Sequence, residues 1–244
     1  MRKNFELLRK EFEKIKQKGA IKSLRKGSTG IGYTFETLLN KKEDKESKPD
    51  FLGIELKTKL GYSKSPLTLF HCAPLRNKEY ATNYLFNKYA NKKLNNENVS
   101  ILEREVYCEK FYKNYNYGFK LSVDYYKKQI SMKSYYKGKF LEYVCYWDFD
   151  QLENILKEKL SYLAIINGYP YTYDNELYYK FFTMKSYELK DFSQFLRLIE
   201  EDKIFISIYI TKNNNDSNAK IDNHGYAFRI KNEFIEELFS KLPY

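Results

Sequence analysis

Three residues combine types and spacing that could do chemistry: Asp50, Glu55 and Lys57. Glu55 and Lys57 stand two apart in a run predicted as a strand from about Ile54 to Lys59, so both side chains leave one face. Leu56 points to the other face and can anchor the strand. Asp50 precedes a predicted turn at Gly53, near enough for its carboxylate to fold back toward Glu55. Clustered carboxylates suit a hard divalent ion such as Mg²⁺, with Mn²⁺ as a substitute, and the backbone carbonyl of Leu56 offers a further oxygen. A lysine beside them can orient or help deprotonate an attacking water and offset charge on a pentacovalent phosphorane. This is the minimum equipment for hydrolysing a phosphodiester. The phosphate cradle G-x-x-x-x-G-K-[ST] is absent and would have no use here. The pattern is short, and a solvated strand face would carry the same residues. Its context must decide.

The elements around the three residues read as mixed α/β. Phe5, Leu8, Phe12 and Ile15 fall at helical spacing over residues 3–18, an amphipathic helix ending near Gly19. Gly27-Ser-Thr-Gly-Ile-Gly32 leads into a second helix from about Ile31 through Leu39. Residues 40–49 are polar and charged, a surface loop. A strand is predicted over Pro66–Cys72, and 74–118, rich in Tyr, Asn and Lys without a clean period, reads as a partly helical insertion. Short strands are predicted at Tyr117–Val123, Gln129–Tyr136 and Glu142–Tyr146. Then come a helix over Phe149–Leu160, a buried strand at Tyr162–Asn167, a helix over Leu189–Glu201 and a strand at Phe205–Thr211. A polar loop at Asn213–Asn218, a strand at Tyr226–Ile230 and a last helix over Asn232–Leu242 complete the chain. No internal repeat is visible.

Composition bounds the function class. At 244 residues, 43% hydrophobic and 18% aromatic, the chain is one large domain or two lobes sharing a core, with ample apolar material for an interior. No stretch nears the roughly 18 apolar residues that span a bilayer, and the N-terminus lacks a signal-peptide core, so a soluble cytoplasmic protein is expected. Cys72, Cys108 and Cys145 are widely separated and odd in number, suggesting buried free thiols rather than a disulfide frame or zinc site. The net charge of +11 favours a polyanionic partner, nucleic acid ahead of an anionic membrane surface. Against this, Lys, Asn, Tyr, Ile and Phe are all abundant, as in the product of an AT-rich genome. That bias inflates Lys and accounts for most of the 25 tyrosines, some of which could otherwise stack on bases.

Upstream of the triad stand Lys26-Gly-Ser-Thr-Gly-Ile-Gly-Tyr-Thr-Phe-Glu36 and Pro49-Asp50; downstream stands Leu67-Thr-Leu-Phe70. With Gly53-Ile-Glu-Leu-Lys57, this run resembles the MvaI/BcnI family of type II restriction endonucleases, PD-(D/E)XK nucleases related to the nicking enzyme MutH. The block His224-Gly-Tyr-Ala-Phe-Arg-Ile230 is similar to the family's C-terminal recognition segment. The likeness covers about residues 20–72, 141–167 and 203–232. It implies a PD-(D/E)XK core, a mixed central sheet flanked by helices, plus a DNA-recognition lobe. The catalytic lobe would take about 1–75 and parts of 140–190, the recognition lobe about 76–140 and 200–232. The activity implied is Mg²⁺-dependent cutting of a short duplex site, one strand at a time, often by a monomer, in a prokaryotic cytoplasm beside a cognate DNA methyltransferase. Asp50 and Glu55 become metal ligands, Lys57 the water-orienting group and Glu36 a supporting acid on its helix. On its own, Glu36 also fits a surface carboxylate near a helix start. Arg25 and Lys26 become candidate phosphate contacts, though ordinary surface charge fits them as well.

Base reading needs donors and acceptors on a groove-facing surface. Asp222, Asn223, His224 and Arg229 supply them within eight residues: Arg suits guanine, Asn adenine, Asp cytosine. A solvated hairpin tip would contain the same groups. Relatives carry His-Asp-His-Gly where this chain has Asp222-Asn223-His224-Gly225, and a charged residue on the preceding strand where Ser207 or Tyr209 stands. Tyr209 therefore joins the candidate DNA contacts, and the family's CCNGG-type site is not carried over. His71, near the predicted site, lacks a ligand-spaced partner and is expected to be structural. Two rivals are a MutH-like repair nickase and a DNA-binding module without catalysis; the intact triad weighs against the second.

Overall fold

The computed structural model describes residues 1–40, 48–93, 96–110, 117–215 and 218–243. The polar loop expected over 40–49 lies mostly outside the described residues, and that over 213–218 partly so. In chain order the elements are α1 (Arg2–Gln17), β1 (Ile21–Lys22), α2 (Gly30–Leu38), β2 (Glu55–Leu60), β3 (Leu67–His71), β4 (Leu75–Arg76) and β5 (Glu79–Tyr80). There follow α3 (Thr82–Tyr89), β6 (Asn91–Lys93), β7 (Asn96–Val106), β8 (Tyr117–Asp124), β9 (Gln129–Tyr136), β10 (Lys139–Asp148) and α4 (Phe149–Leu160). The remainder comprises β11 (Tyr162–Tyr173), β12 (Glu176–Leu189), α5 (Phe192–Glu200), β13 (Ile204–Asn213), β14 (Asp222–Ile230), a 3₁₀ turn at Asn232–Phe234, α6 (Ile235–Leu238) and β15 (Phe239–Leu242). Among the described residues no helix is long and apolar enough to cross a membrane.

The chain divides into two units: Met1–Ser65 with Ile155–Lys190 and Glu236–Tyr244, and Pro66–Asn154 with Asp191–Ile235. The sequence suggested a boundary near residue 75. The cut comes ten residues earlier because β3 pairs with β14 and so joins the second unit.

In the first unit the sheet runs β1-β12-β11-β2, with β15 also on β12. β2 lies parallel to β11, pairing Glu55 with Leu163 and Lys57 with Ile165; β11 and β12 form a long antiparallel hairpin. The helical spacing read in α1 places Phe5, Leu8, Phe12 and Ile15 on one buried stripe. That stripe, with Ile31 and Phe35 of α2, covers the sheet face carrying Leu56, Ala164, Ile166, Tyr179 and Phe181. Leu56 is thus the core anchor its alternation predicted. Glu55 and Lys57 necessarily face the other way.

The second unit holds two sheets, β3-β14-β13-β7-β6 and β5-β4-β10-β9-β8. Its interior is aromatic: Phe228 stacks on Phe70 at 4.8 Å and meets Trp147 edge-on at 5.7 Å. The Trp147 indole N–H donates to the Cys72 carbonyl at 2.8 Å. Cys72 and Cys145 are buried free thiols; Cys108, also free, is half-buried.

Three expectations need correction. The 74–118 stretch holds the expected helix, α3, but its described residues also include strands that went unread; β7 pairs with β13 over eight positions, so cross-strand partners supply the order that no local period announced. β12 went unread, because its burial does not alternate cleanly: Tyr179 and Phe181 are buried two apart, but Ser186 and Tyr187 are buried side by side beyond a register shift. The last helix shrinks to a 3₁₀ turn and four α-helical residues, since Phe239–Leu242 pairs with β12 and satisfies its backbone there.

Phe35 is wholly buried between Phe12 and Phe181, with ring centroids at 6.4 and 5.1 Å. Replacing it by alanine leaves a cavity under α2, and urea unfolding of Phe35→Ala is expected to show a stability loss of about 3–5 kcal/mol.

Candidate active site

A tight turn builds the site. Phe51 and Ile54 exchange backbone hydrogen bonds of 2.9 and 2.8 Å, and between them Leu52 and Gly53 both take positive φ, 46° and 83°. Both central residues at positive φ define a type I′ turn, which glycine adopts freely and leucine does not. The strain at Leu52 is held by α1: the Asn4 amide donates to the Leu52 carbonyl at 2.8 Å. The turn folds Asp50 back so that its Oδ2 accepts the Leu56 N–H at 2.9 Å. β2 is the sheet edge, so this N–H points away from β11. The N–H and C=O of one strand residue point the same way, so the Leu56 carbonyl also faces the Asp50 side.

Glu55 opens β2 and is 2% exposed. Its Oε1 lies 2.7 Å from the Lys57 ammonium and 3.6 Å from that of Lys159, while its Oε2 is buried without a hydrogen-bond partner. Burial pushes the Glu55 carboxyl above the usual carboxylate range. Lys57 pulls it down, the nearby Asp50 charge pushes it up, Lys159 pulls it down, and the net shift is upward. The structure therefore brings Asp50, Glu55 and Lys57 together around the start of β2. It adds Lys159, from the last turn of α4, which no local spacing could have announced.

Glu36 and the glycine loop flank the same strand. A cleft of about 340 Å³ is lined by Arg25, Ser28, Thr29, Gly32, Glu36, Lys57 and Thr58, among others. A Cβ on Gly32 would come within 3.1 Å of the Thr58 hydroxyl and 3.7 Å of a Glu36 carboxylate oxygen, so α2 and β2 approach closely there and Glu36 hangs beside it. Gly30 has no alternative: a Cβ would lie 2.5 Å from the Arg25 carbonyl and 2.7 Å from the Tyr179 hydroxyl. Arg25 lays its guanidinium over the Tyr33 ring at 3.8 Å. Lys26 stands exposed on the loop.

A divalent cation can be tested against these groups. Among the described residues no cluster of three or more His, Cys, Asp or Glu is arranged around one point. The donor set is instead two carboxylates and a backbone carbonyl, all hard oxygens. The orphaned Glu55 Oε2 is the buried acceptor such an ion would satisfy. The residues fit a cation that keeps several waters.

The proposed base readers lie in the second unit. Along β13, buried Ile204, Ile206, Ile208 and Ile210 alternate with the more open Ser207, Tyr209 and Thr211. Tyr209 pairs with Gly225, and the register then slips by one residue at His224. There the His224 Nε2 sits 3.1 Å from the Thr211 hydroxyl and 3.4 Å from Asp222 Oδ2, with its ring 4.7 Å from that of Tyr209. Asn223, also exposed, has its Oδ1 accepting the Gly225 N–H at 3.1 Å. Arg229 stands apart from this group: it donates to the Pro66 carbonyl at 3.0 Å, and its Nε is buried without a partner. A cleft of about 480 Å³ joins Arg229, Ser207 and Tyr209 to Glu103, Arg104 and Glu105 of β7. These β7 residues escaped the sequence, because their stretch shows no clean period and their order comes from pairing with β13. His71 packs on the backbone of β14, where a Cβ at Gly225 would collide with its imidazole, a structural role.

A mixed α/β unit whose edge strand begins with a carboxylate–x–lysine pair, backed by a folded-in aspartate, belongs to the PD-(D/E)XK class of nucleases. The comparisons narrow it. The model of the MvaI/BcnI restriction endonuclease family matches residues 9–239. A structure described as "Restriction endonuclease MvaI-cognate DNA substrate complex" superposes with a TM-score of 0.89 at 32% identity, covering 99% of this chain and 98% of that one. "Restriction endonuclease MvaI in the absence of DNA" gives 0.63 at 31% identity with the same coverage. No curated protein matches significantly. The chain belongs to the MvaI/BcnI restriction endonuclease family and is a sequence-specific DNA endonuclease.

The raised Glu55 carboxyl makes a stability prediction. A carboxylate whose folded pKa exceeds its unfolded value is best tolerated protonated, so its contribution is fully present below the unfolded pKa. It is lost as pH rises through the folded pKa. Glu55→Gln, neutral at every pH, is therefore expected to unfold at a higher temperature than the natural chain near pH 8, by roughly 2–4 °C. The gap should close toward pH 4. A variant less stable at pH 8 would contradict the raised pKa.

Proposed function

We propose that this chain is a type II restriction enzyme that hydrolyses phosphodiester bonds in double-stranded DNA with Mg²⁺, one strand at a time as a monomer. A methyltransferase of matching specificity would be its genetic partner. The observation that carries the reading is the buried Glu55 carboxylate, clasped by Lys57 with one oxygen left unsatisfied beside Asp50. Duplex DNA as substrate is supported by likeness to a structure solved with its cognate DNA.

Asp50, Glu55 and the Leu56 carbonyl would hold the cation. When bound, it would neutralise charge at the scissile phosphate and lower the pKa of a water. The rest falls to side chains of the chain. Lys57, 22% exposed, presents its ammonium at the mouth of the site, where it orients the attacking water and donates to a phosphoryl oxygen as charge accumulates. Water oxygen bonds to phosphorus and the P–O3′ bond breaks. The 3′ oxygen takes a proton, leaving a 3′-hydroxyl and a 5′-phosphate. Lys159 shares Glu55 with Lys57, so one cation stays beside the carboxyl while Lys57 turns to substrate. Glu36 would support the site from α2, and Arg25 and Lys26 would contact the phosphate backbone.

Tyr209, Asp222, Asn223, His224 and Arg229 are the proposed base contacts. Ser207 or Tyr209 stands where relatives carry a charged residue, so the sequence read should differ from theirs. One active-site set per chain implies two sequential cuts by one copy.

Purified protein with Mg²⁺ and unmethylated plasmid should give nicked circles first, then discrete linear fragments, and Mn²⁺ should substitute. Lys57→Ala should lower cleavage about 10²–10⁴-fold with DNA binding kept. Nicks that never mature into fragments would instead favour a repair nickase. Binding without any cut, indifferent to Lys57→Ala, would leave only a DNA-binding module.

A further inference from the structure

The β11–β12 hairpin runs well past the strand that carries the catalytic candidates. β2 pairs with β11 only as far as Gly168, whereas the hairpin continues to Tyr173 and returns from Glu176. Strand pairing fixes which side chains share a face. Lys57 pairs with Ile165, which pairs with Lys185; Lys59 pairs with Asn167, which pairs with Thr183. Beyond a bulge the same face continues through Tyr169 opposite Lys180, then Tyr171 opposite Tyr178, itself paired with Lys22 of β1. The opposite face carries Tyr179 and Phe181 into the core, which fixes the assignment.

This outer face is open and unusual in content. Tyr169, Tyr171 and Tyr173 are 48%, 53% and 64% exposed. Tyr169 is stiffened by Phe182, stacked at 4.4 Å and 7°, and Gly61 makes room for that pair, since a Cβ would strike both rings. Lys22 and Lys180 are exposed among them. The acids present are Glu176, paired to Lys22 at 3.1 Å, and Asp174 at the hairpin tip. Exposed aromatic rings without charge would suggest a protein partner. Tyrosines interleaved with lysines, on the face that starts at Lys57, fit a polyanionic duplex: phenol and ammonium groups bind phosphate oxygens, and the rings pack on deoxyribose.

We propose that the face of this hairpin bearing Tyr169, Tyr171, Tyr178, Lys22 and Lys180 is a second DNA-binding track. It would grip the backbone beside the recognition site without reading sequence. The inference rests on the nuclease reading only for the identity of the duplex that reaches Lys57. At about 3.3 Å per residue, Tyr169 to Tyr173 lie roughly 13–26 Å from the Ile165 row. That is about four to eight base pairs of flanking duplex.

The test is equilibrium binding of the full chain to a fluorescein-labelled 30-base-pair duplex of arbitrary sequence, in EDTA, over a range of salt. Lys22→Gln/Lys180→Gln should lower the slope of log affinity against log salt by about two. Tyr171→Ser/Tyr173→Ser should weaken binding about tenfold. Lys3→Gln/Lys10→Gln removes the same charge from exposed positions of α1, on the opposite side of the sheet, and should change the slope by less than half as much. Equal slopes for the two lysine pairs, or no change in the hairpin variants, would overturn the track. So would a tyrosine variant that merely converts a dimer to a monomer with DNA affinity intact, since the face would then seat a second copy. Because no cleavage is measured, a chain that binds through the hairpin yet never cuts refutes the nuclease mechanism alone. A chain that cuts while hairpin variants bind normally refutes the track alone.

Discussion

A carboxylate buried at the first residue of an edge strand is the constraint on which the catalytic unit is organised. Removing Glu55 from water is unfavourable, and two ammonium groups on one of its oxygens offset that only partly, as the upward shift of its carboxyl shows. The fold tolerates the deficit because the surroundings are over-determined. α1 pins the turn through Asn4, Leu56 locks the strand from below, and Asp50 caps the outward N–H that an edge strand would otherwise offer to another chain. Stability forgone at such a point is a common mark of a site shaped for a ligand rather than for itself.

How much of this was legible follows from how local each interaction is. Asp50, Glu55 and Lys57 lie within eight residues, and period-2 alternation with one turn suffices to converge them. The α1 stripe and the alternation of β13 were legible for the same reason. Lys159 was not, because α4 returns to Glu55 only after the chain has built most of the second unit. β12 and β7 were not either: β7 owes its order to β13, about a hundred residues further on, and β12, though it pairs with the adjacent β11, mixes buried and exposed positions without a clean alternation. The end of the chain shows the converse error. Asn232–Leu242 has helical composition, yet pairing with β12 outcompetes the last helical turns.

Gly32 and Gly30 show why the glycine run had to be read through packing rather than as a phosphate cradle. Neither is needed for positive φ. Gly32 lets α2 lie against Thr58 so that Glu36 reaches the cleft, and Gly30 passes between the Arg25 carbonyl and the Tyr179 hydroxyl. Thr34 completes the arrangement by accepting the Leu24 N–H at 3.1 Å, which fixes the loop bearing Arg25 and Lys26 to the helix bearing Glu36. The loop is a spacer set by steric contact, and its contribution to chemistry is to place other residues.

On the second unit, the groups suited to reading bases satisfy one another. His224 leans on Thr211 and Asp222, its ring lies near Tyr209, and Arg229 is tied to the Pro66 carbonyl. In base reading as proposed, each such bond would be exchanged for one to a base edge, so a matching base would return what is broken and a mismatched base would leave a donor or acceptor unpaired. That exchange makes discrimination steeper than affinity. Were DNA to enter this cleft, Glu103 and Glu105 would sharpen it further, because carboxylates facing a polyanion are unfavourable unless a base donor such as a cytosine amine meets them. With Ser207 and Tyr209 between them and β14, the cleft also offers two hydroxyl groups. On the proposed reading, this pattern of donors and acceptors would set the sequence selected.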